Sequence, residues 1–288
     1  TRELTATQTF LPGGDTYGRI RHANSTHDLY FSTNHNWTFH TKWVNVKLNP
    51  NLHYSSNSGS SLNRSVQSGR DNLRDESLDT LFASDVSPAQ LAGIINRVSE
   101  EAKRKGYYLS TGMTAQAAIK MPHTNDNLLL EARGNYIDTQ HDNFAHKLYD
   151  YPQGGAATDR RNEYGKEDYR GYSATAKAAY YYWGIGHNWL INPSYEYSAD
   201  HTRNNYGLYR LDYLTDNADN WPELGVLPSV TDWQHQAYDP ERSKYTTQRN
   251  DYHVVALTIY KNEYKNNTWS FNLNLPLSID RNRLDYNR

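Results

Sequence analysis

The sequence predicts an all-β chain: an antiparallel, up-and-down transmembrane β-barrel segment of about nine long strands. It reads as an open curved sheet with one short helix in a long external loop. Three observations predict this. The first is strict alternation. In 269–279 every odd position is apolar (Trp269, Phe271, Leu273, Leu275, Leu277, Ile279), and Ser270, Asn272, Asn274, Pro276 and Ser278 lie between them. With 36% hydrophobic residues overall, chance gives such a window at roughly 2 in 10,000 positions, yet the chain repeats it. The second is strand length. The alternating runs are mostly 11–15 residues long, whereas globular strands average about 5–6 and a tilted membrane strand needs about 9–11. The third is that short and long connections alternate, as they do at the two rims of an outer-membrane barrel.

In chain order the strands are expected at 2–10, 27–41, 43–56, 107–121, 127–139, 169–183, 188–200, 251–262 and 268–281. Within 43–56, Val44, Val46, Leu48, Pro50, Leu52 and Tyr54 face one way, while Asn45, Lys47, Asn49, Asn51 and His53 face the other. A period of two places successive side chains on opposite faces of a strand. Short turns fall near 41–43, 122–127, 184–187 and 263–267, and long external loops at 11–26, 57–106, 140–168 and 201–250. Trp37, Phe39, Trp43, Trp183, Trp189, Tyr260, Tyr264 and Trp269 flank the short turns, with Tyr54, Tyr107, Tyr136, Tyr172 and Tyr197 toward the opposite strand ends. Two aromatic belts around an aliphatic band are the girdles expected at two membrane interfaces. One helix is expected over 88–105: Ser87 and Gln90 have capping-box spacing, Pro88 opens the first turn, and Gly106 closes it. Its stripe is Leu91, Ile94, Ile95 and Val98.

Composition narrows the function. A formal charge of −2 argues against nucleic acid as a partner, because phosphate binding needs a basic face. The chain has no cysteine, which excludes disulfides and thiolate chemistry. Only every second strand residue needs to be apolar in a barrel, which accounts for a mean hydropathy of −0.94.

Taken together, 38–55 (TFHTKWVNVKLNPNLHYS), 128–137 (LLLEARGNYI) and 272–286 (NLNLPLSIDRNRLDY) resemble the barrel of a TonB-dependent outer-membrane receptor. The resemblance is closest to the outer-membrane β-barrel family whose members carry an N-terminal carboxypeptidase-regulatory-like domain. It covers nearly the whole chain as a strand-and-loop pattern, and its weight comes from many strands agreeing. It implies a barrel of about 22 strands closed around a plug, energised import of a scarce small molecule or oligosaccharide, and localisation in the outer membrane of a Gram-negative-type cell. The implied partners are outer-membrane lipid, the barrel's own plug and remaining strands, and the TonB complex. Residues 1–288 would then be an internal slice of the barrel, without plug or TonB box. A passive porin-like barrel and a soluble all-β, lectin-like binding module are the alternatives.

Candidate sites are set by position. Tyr206, Tyr209, Tyr213, Trp221 and Trp233, with Tyr238 beside them, crowd the loop 201–250. Their faces suit stacking on a sugar or an apolar solute, but the plainer and weightier reading is that they pack the loop's own small core. Lys47, Glu131, Arg133 and Glu196 have the parity of a lumen-facing polar set that would tune permeation or meet a plug. Asp216, Asn217, Asp219 and Asn220 offer oxygen ligands but lack the spacing of a calcium loop. His35 and His40 fall on opposite strand faces, and His141 and His146 repeat no ligand spacing. No paired-carboxylate, nucleophile-elbow or phosphate-loop motif is present. The expectation is no catalytic residue, no metal and no cofactor.

Overall fold

A computed structural model of the chain describes residues 2–10, 14–71, 77–83, 86–154, 157–183, 189–215, 221–263 and 269–287. The strands are β1 (Arg2–Thr9), β2 (Thr16–Asn34), β3 (Trp37–His40), β4 (Val44–Ser68), β5 (Ile94–Lys120), β6 (Asn127–Asp150), β7 (Asp159–Tyr181), β8 (Trp189–Arg210), β9 (Tyr238–Glu263) and β10 (Trp269–Asn287). All are antiparallel in one open up-and-down sheet, ordered β1-β2-β4-β5-β6-β7-β8-β9-β10, with β3 also on β4. The short helices are α1 (Leu78–Leu81), α2 (Pro88–Leu91) and α3 (Trp233–Ala237), with a 3-10 turn at Leu211–Leu214.

The nine expected strands are all present, because β2 and β3 form one strand interrupted at 35–36. Their registers on β4 are continuous, with Asn34 opposite Asn51 and Trp37 opposite Leu48. The interruption has a covalent cause. His35 N donates to Pro50 O at 3.0 Å, but proline has no N–H to return the bond. The same problem arises where Pro193 meets β7. Tyr182 and Ile191 exchange both backbone bonds, so two residues on Pro193 should donate to Tyr180 O. It cannot, and Asn192 Nδ2 donates to that carbonyl instead, at 3.1 Å.

The strands run well past their expected ends. Residues 16–26, 57–68, 94–106, 140–150, 159–168, 201–210 and 238–250, all expected in long loops, are strand. These extensions carry no continuous apolar stripe, and 57–68 is polar on both faces over Asn57-Ser58-Gly59-Ser60-Ser61. Pairing with β2 on one side and β5 on the other holds them. The helix expected over 88–105 is also corrected. Its capping box is real, with Ser87 N donating to Gln90 Oε1 at 3.0 Å, but α2 lasts four residues. Gly93 then takes φ +91°, a conformation costly for other residues, and Ile94, Ile95 and Val98 belong to β5. Gly106 is mid-strand opposite His141, where a Cβ would collide with the His141 ring.

Register decides which residues share a face. Val44, Val46, Leu48, Pro50 and Leu52 pair with Ile119, Ala117, Ala115, Met113 and Thr111. Those residues meet Leu128, Leu130, Ala132, Gly134 and Tyr136, which in turn meet the even residues of β7. On the far side Phe271, Leu273, Leu275 and Leu277 oppose Lys261, Ile259, Leu257 and Val255, and these oppose Trp189, Ile191, Pro193 and Tyr195. Every stripe therefore falls on one face of the sheet. It is uncovered: Leu277 is 68% exposed and Leu29 63%. Among the described residues, the buried apolar side chains other than Ala179 lie at the far ends of the strands or in the connections between them.

At the near end, Thr41 N donates to Val44 O at 2.8 Å across the first tight turn. Asp126 ties the β5–β6 turn to the end of β7, accepting from Trp183 N at 2.8 Å and the Tyr180 hydroxyl at 2.9 Å. The expected short turns at 184–187 and, but for Glu263, at 263–267 lie outside the described residues.

Candidate functional site

Three of the four polar residues expected to share a face lie on one level. Lys47, Gln116, Glu131, Lys177 and Glu196 are successive register partners across β4 to β8. Gln116 Nε2 donates to Glu131 Oε2 at 3.0 Å, and Lys177 Nζ lies 3.5 Å from Glu196 Oε2. Arg133, two residues along, forms an ion pair with Glu131. Thr175 and Ser198 bond at 3.0 Å one row further. This row crosses the sheet behind the apolar stripes, on the opposite face. Asn45 and Asn49, on the same face, have Oδ1 atoms without a hydrogen-bond partner among the described residues. Such groups are costly unless water or another polar surface meets them.

The aromatic residues behave differently. Tyr209 and Trp233 pack together with ring centroids 5.3 Å apart, and Tyr164 sits 5.6 Å from Tyr209 and 4.7 Å from Phe144. Leu211 and Ala237 complete this buried cluster. Tyr238 lies 5.7 Å from Tyr209. Tyr206 closes over Gly165, and Tyr213 points outward with the Arg210 guanidinium 4.7 Å from its ring. Trp221 stands apart, 5.7 Å from His146. It helps line a cavity of about 640 Å³ with Arg64, Phe82, Arg97, His146 and Arg160. So the structure joins Tyr209 and Trp233 in one small core and separates Tyr213 and Trp221 from it.

Ion pairs that no local motif announces hold this end together. Asp79 on α1 accepts from Arg21 at 2.5 Å and Arg64 at 2.6 Å. Arg97 and Asp150, each 9% exposed, meet at 2.5 Å; Thr158 adds a hydroxyl bond to Asp150 at 2.7 Å, and Arg97 also donates to Leu81 O. Glu163 accepts from Lys147 at 2.8 Å and Arg242 at 2.7 Å. With the cluster of Val66, Leu78, Leu81 and Ile94, these contacts make a collar of connections folded against the far ends of the strands. Val66, Arg97, Asp150, Phe144, Tyr164 and Tyr209 have the parity of the apolar stripes, whereas Lys147 and Glu163 have that of Glu131 and Lys177, so most of the collar packs on the apolar face and the Glu163 ion pairs lie on the other. Sequence reasoning missed the ion pairs because their partners are 15 to 79 residues apart; the one signal was the parity of charged residues along the strand extensions.

The collar's electrostatics give a pH expectation. Burial pushes the Asp150 carboxyl up, but the Thr158 hydroxyl and Arg97 outweigh it and hold it below its usual value. Burial of Glu163 is likewise outweighed by Lys147 and Arg242, and the Arg21 hydrogen bond leads in lowering Asp79. Carboxylates lowered on folding stabilise fully above their unfolded values of about 4, and that stability is lost as pH falls through the lowered folded values. Burial also pushes the His146 imidazole down. Its share is therefore present above about pH 6.5 and fades as pH falls through its lowered value. Hydrogen exchange of the amides at 77–83 and 158–163 should show protection that is steady from pH 7 to 8 and falls in acid. Protection equal at pH 2 and pH 7, or a loss on raising the pH to 8, would contradict these assignments.

Among the described residues no three His, Cys, Asp or Glu side chains gather as a metal site, and no helix is long and apolar enough to cross a membrane, which leaves crossing by strands open. No protein-family model matches the chain. No curated protein matches it either, nor does any solved structure.

Proposed function

We propose that the chain is a segment of an outer-membrane β-barrel, with the apolar face toward lipid and the Lys47–Glu196 row toward the lumen. On this reading the barrel belongs to a receptor that imports a scarce solute, energised through the TonB complex. The observation that carries the membrane part is the course of the apolar band. Its far edge slides from Leu29, level with Ser56 of β4, to Ile279, level with Leu48: eight residues over seven strand-to-strand steps. At about 3.3 Å per residue and about 4.8 Å between strands, that slope is roughly 38°, inside the tilt of about 35–45° found in membrane barrels. A soluble sandwich has no reason to offset its stripes this way, and it would bury them; here they are open.

Polarity supports the facing. Charges on the lipid side of a barrel strand cost about 2–4 kcal/mol each near the midplane, and the row of Lys47, Glu131, Lys177 and Glu196 lies behind the band. Import and TonB coupling rest on the family resemblance of the strand pattern.

The absence of native cysteine permits a direct test. Single cysteines at positions 46, 48, 130 and 132 should react with a lipid-soluble probe in bilayers, and those at 47, 116, 131 and 196 with a water-soluble one. Equal reactivity on both faces would end the membrane reading. Uptake of labelled oligosaccharides by cells carrying the intact gene should stop when a protonophore collapses the membrane potential. Uptake that continues would leave a passive pore.

A further inference from the structure

We propose that Arg170, Arg203, Arg249, Arg281 and Arg283 form a docking patch for a phosphorylated lipid headgroup, an inference that rests on the membrane reading above. All five have the parity of the apolar stripes and are exposed. They lie just beyond its aromatic edge. Tyr172 is opposite His201, and His201 is opposite Arg249; Tyr197 lies two residues short of Ala199, on the level of Asp251 and Arg281. The collar begins further along the same face, so the patch occupies the interval between the apolar band and the collar.

The arrangement is unfavourable for the sheet alone. Arg170 is the direct partner of Arg203, and Arg249 of Arg283. Like charges directly opposite destabilise a strand pair. Three acids offset part of the charge: Asp138 meets Arg170, Asp251 meets Arg249, and Asp285 meets Arg283. In each case the hydrogen bond runs from Nε, which leaves the terminal nitrogens of the guanidinium for an oxyanion. Arg203 lies with its guanidinium 5.3 Å from the Tyr245 ring, and the charge of Arg281 reaches Asp251. Asp168, on the same face beside Arg170, also acts on its charge but is paired with Lys166; six cations against four acids still leave a local excess of positive charge in a chain whose formal net charge is −2.

Guanidinium forks match phosphate geometry two bonds at a time, and basic side chains at headgroup depth gain from anionic lipid. The two arginine pairs lie two strands and one row apart, roughly 12 Å. A headgroup carrying phosphates at both ends of a disaccharide spans that distance.

The intact barrel that contains this segment, refolded into phosphatidylcholine vesicles containing either diphosphoryl lipid A or its dephosphorylated form, tests this. After detergent extraction, the protein should retain the phosphorylated lipid and not the dephosphorylated one. Replacing Arg203, Arg249 and Arg283 together by Gln should weaken retention on the order of 100-fold, and the corresponding Lys variant should fall between. Equal retention by the Gln variant, or no preference for the phosphorylated lipid, would overturn the patch. Release of the lipid by inorganic phosphate alone would replace it with a general phosphate site. The premise is read separately: an intact barrel that enters neither kind of vesicle sinks the membrane reading, whereas one that inserts equally well without preference sinks only the patch.

Discussion

Leu275→Arg is expected to block insertion into bilayers, while Asn274→Arg leaves it nearly intact. Leu275 is 53% exposed on the apolar face, level with Leu257 of β9 and Pro193 of β8, in the middle of the band. An arginine there would cost about 2–4 kcal/mol in hydrocarbon. Asn274 is one residue away and on the other face, where it accepts a hydrogen bond from Thr258 at 3.2 Å. An arginine in its place would lose that one exposed bond, worth about 1 kcal/mol, and gain a polar surrounding. The measurement is refolding yield of the intact barrel into vesicles, read by protease protection. The contrast matters more than either value, because both variants add the same charge to the same strand. Equal losses would refute the assignment of faces.

The second large effect is expected at the collar. Asp150→Ala strands the Arg97 guanidinium in a site that is 9% exposed, and removing one partner of a buried pair costs about 3–5 kcal/mol. The loss should be local. Amides of α1 should exchange faster and 77–83 and 86–93 should become open to protease, while β9 and β10 keep their protection. Replacing the pair together, Arg97→Met with Asp150→Leu, removes the stranded charge. It gives up the bonds to Leu81 O and from Thr158, each worth about 1 kcal/mol. The double variant is therefore expected to be more stable than Asp150→Ala alone. A double variant as unstable as the single one would show that the charge is not what the pair contributes.

How far the sequence announced this architecture depends on the element. The stripe from Phe271 to Ile279 was legible because one face of the strand is apolar and the other polar, and the period of two survives any neighbour. The run from Asn57 to Ser61 was not, since both faces are polar there and pairing on both sides holds it in the sheet, which a single strand does not encode. Leu91, Ile94, Ile95 and Val98 misled for a related reason. Their spacing fits a helical face, but Gly93 breaks the helix, and β4 and β6 stand ready to pair with the residues after it. Parity put Lys47, Glu131 and Glu196 on one face, but only the register put them on one level. The arginine patch needed the registers of four strands at once, and no window of sequence spans them.

The length of the strands has a consequence of its own. β5 runs for 27 residues, roughly 90 Å at about 3.3 Å per residue, and a tilt near 38° turns this into a rise of about 70 Å. The apolar band of a membrane barrel takes up about 25 Å. On the proposed reading the remainder stands clear of the lipid as paired sheet, with the collar clamped to its flank. Free loops of that length would have to be ordered when something docks, at about 1–2 kcal/mol per residue fixed. A ladder has met that cost during folding. Whatever lands on the rim meets a stiff, pre-set surface, and its affinity is then set by the contacts it makes rather than by the freedom the rim must give up.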